Sequence, residues 1–141
     1  MARTIDRSRL YLPALAGLYN ELGKYMYPLL RFTCGAFLVP HGWAKVIGGS
    51  VAKYNEAGVL VGGTAGFMTK MGFPAPETLA WYIALLELIG GTMIAIGFLT
   101  RVVAAQVIGF MFVAAFVVNG DKWFWNGPGM EFPVFWMIVA F

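Results

Sequence analysis

Four side chains able to do chemistry stand in one apolar stretch of this 141-residue chain, and a fifth stands in another. Arg31, Cys34, His41 and Lys45 follow one another at intervals of three, seven and four residues. Wound at about 100° per residue they share, with Leu38, one helical stripe roughly 80° wide. An ionisable group facing lipid costs at least about 2.5–3.5 kcal/mol, so three on one face turn that face toward protein, water or a ligand. Glu87 lies near the middle of its own apolar run, too deep for a short side chain to reach water, and must be neutral or paired. If the two stretches pack antiparallel, Arg31 and His41 each fall within about five residues of its depth, roughly 7.5 Å along the axis, and either is the expected partner. An imidazole and a carboxyl meeting in a polar intramembrane pocket could move protons or hydrogen-bond the carbonyls of a lipophilic ligand such as a quinone. The same groups could instead form a buried pair that fixes helix register, with Arg31 and Lys45 snorkelling to opposite interfaces. Spacing does not separate the two.

Other chemistries have no residues to work with. One histidine and one cysteine cannot supply a zinc, iron–sulfur or bis-histidine haem site, so no cofactor bound covalently or through metal ligands is expected. Cys34 has no partner for an internal disulfide and, within an apolar run, behaves as a small hydrophobe. The glycines at 58, 62, 63 and 66 are not followed by the Lys-Ser/Thr of a phosphate loop. The ten basic and seven acidic residues are scattered at segment ends, without the basic stripe that nucleic acid requires.

The elements that position these residues follow from hydropathy. Sixty per cent of the residues are hydrophobic and 12% charged, about half the charge of an ordinary soluble domain, which places the chain in a lipid bilayer. The expected fold is an all-α, integral membrane four-helix bundle forming a single transmembrane domain over 1–141, with spans at about 26–47, 79–99, 102–118 and 132–141. The last is incomplete: the residues after Glu131 are too few to cross a bilayer at 1.5 Å per residue. Pro40 should kink the first span, and Ala105 and Gly109 give the third a small-xxx-small face. A long glycine-rich connection separates the first two spans; its segment 59–71 is read as re-entrant or interface-lying. Arg3, Arg7 and Arg9 precede a short apolar run, 10–16, read as an uncleaved interfacial segment.

Under four-span alternation Arg3, Arg7, Arg9, Lys24 and Arg101 share one side, which places the N-terminus in the cytoplasm. Trp43, Asp121, Trp123, Trp125 and Glu131 then fall on the side of His41 and Lys45. They could rim a site, although an aromatic belt with loop charges explains them as well.

The stretch LLRFTCGAFLVPHGWAKV at 29–46, ELIGG at 87–91, GFLTR at 97–101 and the Trp-rich loop ending at Glu131 resemble the DoxX family of small bacterial membrane proteins. The matching positions are Arg31, His41, Gly42, Lys45, Glu87, Thr100, Arg101 and Glu131. The resemblance implies a multi-pass protein of the bacterial inner membrane, related to the membrane subunit of thiosulfate:quinone oxidoreductase and tied to redox or sulfur metabolism. The first functional reading is therefore an accessory or quinone-facing subunit of a membrane redox system. Its candidate polar site is Arg31, His41, Lys45 and Glu87, with Trp43, Arg101, Asp121, Trp123 and Glu131 at the rim. Its partners would be membrane or peripheral redox subunits, or further copies of the chain. A non-catalytic structural subunit, supported by the small-xxx-small faces, and a small transporter or lipid-binding protein are the alternatives.

Overall fold

The computed structural model describes residues 10–124 and 129–140. Arg3, Arg7, Arg9 and Trp125 lie outside these residues. A 3-10 turn at Pro13–Leu15 leads directly into α1, Ala16–Val46, 31 residues and roughly 46 Å long. The helix begins ten residues before the expected start at 26. Hydropathy drops at Asn20, Glu21 and Lys24, but helix propensity does not, and Lys24 Nζ donates to Glu21 Oε1 at 2.8 Å one turn away. Pro28 and Pro40 lie inside the helix, and each removes one backbone donor. Its end is tied off by Ser50, whose Oγ donates to the Ala44 carbonyl at 3.0 Å and whose N–H donates to Lys45 O at 3.0 Å.

The connection, whose segment 59–71 is expected to be re-entrant or interface-lying, folds as a hairpin followed by a short helix. Strands β1, Lys53–Tyr54, and β2, Leu60–Gly62, pair antiparallel. In their loop Asn55 Oδ1 accepts from the N–H groups of Ala57 and Val59, at 3.1 and 2.8 Å, a local turn-forming role suited to Asn. Helix α2, Gly63–Lys70, follows. Gly63, at φ +76°, leaves room for the carbonyls of Ser50 and Val51. Ala65 N–H donates to Val51 O at 2.8 Å, which fastens α2 to the end of the α1 connection.

Helix α3, Pro76–Ile96, begins with Pro76 in its first turn and widens into a π-helical segment at Leu86–Gly90. It stops at Gly97, φ +85°, the left-handed cap that glycine accommodates without strain. Helix α4 runs Thr100–Val118, with a second π-helical segment at Ala114–Val118, and α5 covers Glu131–Ala140. Helices α3 and α4, with mean hydropathies of 1.8 and 2.2, are long and apolar enough to cross a membrane.

Two apolar cores hold these elements. Leu38 of α1, Leu86 and Ile94 of α3, and Val103, Val107 and Met111 of α4 form the first, with Trp136 and Met137 of α5 packed against it. The second joins Val51, Ala65 and Met68 of the connection to Ala80, Ile83 and Ala84 of α3. The hairpin and α2 thus cover the first half of α3, while α1 packs along the second half.

Candidate functional site

Glycines set the level at which α1 meets α3. A Cβ on Gly42 would overlap the backbone of Leu88, and one on Gly35 would overlap the Gly91 carbonyl and the Ala95 nitrogen. Arg31 lies lower still, its guanidinium packed on Gly97 where any side chain would collide with it. Gly42 against Leu88 therefore brings the last turn of α1 beside Glu87, and the residue that meets the carboxylate is Lys45. Lys45 Nζ donates to both Oε1 and Oε2 of Glu87 at 2.5 Å. The expected partners, Arg31 and His41, are not the ones used. In this register Arg31 lies about ten residues of α3 from Glu87, near 15 Å along the axis.

Burial and backbone both favour the Lys45–Glu87 pairing. Glu87 is the one charged residue buried among those described, at 5% exposure, so an unpaired carboxylate there would carry a large desolvation cost. It sits in the π-helical segment of α3. A π turn inserts one residue into the helix, rotates the side chains beyond it, and recurs at functional sites. Thr92 Oγ1 donates to the Leu88 carbonyl at 2.8 Å, satisfying an acceptor inside that segment.

His41 and Glu87 line one cavity of about 470 Å³ between α1, α3, α4 and α5. Thr33 and Cys34 add a hydroxyl and a thiol to its wall, and the rest is apolar: Leu30, Phe37, Leu38 and Met111, with Phe132, Phe135 and Trp136 from α5. Phe37 and Trp136 meet with ring centroids 6.3 Å apart and tilted by 53°. Such a chamber, apolar with a few convergent polar groups, has the composition and size of a small-molecule site. His41 is exposed and Lys45 half-buried; His41 and Glu87 stand at one level of the cavity wall and Thr33 and Cys34 about two turns of α1 away. Among the described residues no group of three or more His, Cys, Asp or Glu is placed to hold a metal ion.

The remaining sequence candidates lie elsewhere. Arg31 faces a smaller hollow with Tyr27, Ile94 and Thr100, and its buried Nε has no hydrogen-bond partner. Its charge lies beside the C-terminal end of α3, where a helix dipole favours a cation. Trp43 is 57% exposed and is absent from the cavity wall. Arg101 is exposed at the α3–α4 turn, and Asp121 and Trp123 are exposed in the loop before α5. Glu131 opens α5 immediately before Phe132 and Pro133, which line the cavity. Its N–H donates to Trp123 O at 3.0 Å, tying the loop to the helix start.

Sequence reasoning missed the α5 wall, Phe37 and the π segment. Gly35 and Gly42 gave a usable signal, because they share the stripe of Cys34 and Leu38 and mark it as a face of close backbone approach. Nothing in the sequence marked the π segment.

A family model described as DoxX matches residues 27–120, which takes in Arg31, His41, Lys45 and Glu87 together with α3 and α4. Nothing among curated proteins or solved structures matches. With the family model spanning two thirds of its length and two helices apolar enough to cross a bilayer, the chain is a membrane protein and belongs to the DoxX family.

Proposed function

We propose that this chain is the quinone-facing subunit of a membrane redox system, with α1, α3, α4 and α5 as a four-helix membrane bundle around the ligand. One observation carries the reading: His41 and Glu87 converge on a single aromatic-walled cavity. A quinone head offers two carbonyl acceptors on a flat ring, and the cavity sets donors against it in the His41 imidazole and the Thr33 hydroxyl. Glu87, held by Lys45, is an acceptor and suits the hydroxyl of a reduced head. Phe37 and Trp136 offer ring faces and edges to the flat group. A bound quinone would supply the capacity to take up two electrons and two protons, the electrons arriving from a peripheral redox subunit. The chain's own residues would bind and orient the head, and His41 at the exposed end would pass protons between water and the chamber.

His41→Ala and Glu87→Gln should each lower quinone-dependent electron transfer in membranes at least ten-fold, with unchanged helical content by circular dichroism. Unaltered turnover in both variants removes the reading. The second reading, a structural subunit, draws on the Lys45–Glu87 pair, which leaves the carboxylate satisfied without a ligand. A stoichiometric complex whose partner keeps full activity after this chain is deleted would favour it.

A further inference from the structure

A second cavity, of about 440 Å³, shares no residue with the aromatic chamber. Phe67 and Met68 of α2, Tyr82 and Ile83 of α3, and Phe110 and Val113 of α4 wall it on three sides. Its α4 wall runs from Gln106 to Val118, about 18 Å along the axis. The volume spread over that length gives a cross-section of roughly 24 Å². A helix about 10 Å across needs about three times as much, so the cleft has the width of an extended hydrocarbon chain and not of a docked helix. The last described turn of α5, Val139 and Ala140, stands with Thr100 at the opposite end of the bundle, and the start of α1 lies at that end too. Neither leads toward this cleft, and α3 and α4 belong to the membrane, so an occupant comes from the bilayer.

Two residues give the cleft a chemistry. Gln106 places an amide inside an apolar span, where a polar group is costly unless it is hydrogen-bonded. The Tyr82 hydroxyl donates to Gln106 Oε1 at 2.9 Å, and Gln106 Nε2 donates to the Val102 carbonyl at 3.3 Å. One amide N–H and the lone pairs of the Tyr82 oxygen stay unused, a donor and an acceptor side by side that match a single hydroxyl. Gly109, nearly one turn further along α4, explains the space. Its spacing from Ala105 suits close helix contact, yet a Cβ on Gly109 would meet nothing within 4 Å and Ala105 is exposed. The missing side chain opens the cleft instead. No charged side chain among the described residues stands in its wall, so a phosphate or a carboxylate finds no counter-charge. We infer that the cleft binds an uncharged lipid alcohol, its hydroxyl on Gln106 and Tyr82 and its hydrocarbon chain laid along α4 past Gly109 toward Val118. The inference is independent of the ligand in the aromatic chamber.

The test uses the full chain in phosphatidylcholine nanodiscs doped with hexadecanol that carries a diazirine in its chain. Photolabelling, mapped by mass spectrometry, should fall on Phe67, Phe110 and Val113, and unlabelled hexadecanol should compete at least ten-fold better than hexadecane or hexadecanoate. Gly109→Leu fills the open space without meeting main chain and should cut labelling at least five-fold with unchanged helical content. Gln106→Leu should keep labelling at those positions while hexadecanol and hexadecane come to compete equally. His41→Ala should leave every one of these results as in the parent chain, which separates this cleft from the chamber. Equal competition by hexadecane or hexadecanoate in the parent chain overturns the proposal, since the cleft then takes any acyl chain. Labelling undiminished in Gly109→Leu, label spread evenly along α3 and α4, or displacement of the probe by a short-chain quinone overturns it as well.

Discussion

At the scale of single residues, the Lys45–Glu87 pair makes a definite statement about stability. Removing one partner leaves the other charge buried and uncompensated, which typically costs about 3–5 kcal/mol, whereas replacing both by apolar groups of similar volume is often neutral. Lys45→Ala should therefore lower the thermal midpoint in detergent sharply, and Lys45→Met with Glu87→Leu should restore most of it. If the double variant is as unstable as the single one, the pair is not the reason for the loss. A second residue effect lies in the hairpin. The nearby Glu77 carboxylate holds the Tyr54 hydroxyl above its ordinary pKa of 10.0, with some desolvation added. A phenol raised in this way favours the fold while neutral, so its contribution is complete below the ordinary value and is lost as pH rises through the raised one. The ultraviolet phenolate titration should contain a late component that Tyr54→Phe removes. Spacing alone made the stripe of Arg31, Cys34, His41 and Lys45 legible, because helical geometry fixes angle. Glu87's partner was not legible, because axial level depends on which backbones can touch, and that is decided by Gly35, Gly42 and Gly91 rather than by hydropathy.

At the scale of elements, the glycines of α1 divide into two kinds that the sequence does not distinguish. Gly42 presses on the Leu88 backbone, whereas an added Cβ on Gly23 meets nothing within 4 Å. Gly42→Ala should force α1 from α3 and cost about 1–3 kcal/mol or more, since the obstacle is main chain and cannot swing aside. Gly23→Ala should instead stabilise α1 by roughly 0.5–1 kcal/mol through backbone entropy and helix propensity. Thermal unfolding of the two variants side by side checks the sign, and equal shifts would refute the contact register. Apolar runs announced α3 and α4 because length and hydropathy suffice for a helix in lipid. They misplaced the start of α1, where leucines and good helix formers continue the helix through a polar patch. They also missed the hairpin and α2, whose pairing depends on Asn55 and Gly63 satisfying backbone groups that no periodicity reports.

At the scale of the whole molecule, the cavity is assembled from distant parts of the chain: His41 from α1, Glu87 from α3, Met111 from α4 and Trp136 from α5. The α5 wall follows a loop after α4 and brings its rings onto Phe37 nearly a hundred residues earlier in sequence. That closure could not be read beforehand, since a ten-residue apolar segment carries no sign of which neighbour it will face. If α5 is there to close the chamber, its rings must matter to the ligand more than to the bundle. Trp136 is half-buried and touches the main core from outside, so truncating it removes a wall without opening the centre. Trp136→Ala should weaken binding of a short-chain quinone, measured by equilibrium dialysis, by about five- to ten-fold, the equivalent of roughly 1–1.4 kcal/mol of lost ring contact. Trp136→Phe keeps a ring at the position and should recover most of the affinity. Equal loss in both variants would point to the indole N–H instead of the wall, and undiminished binding in both would place the quinone elsewhere on the molecule.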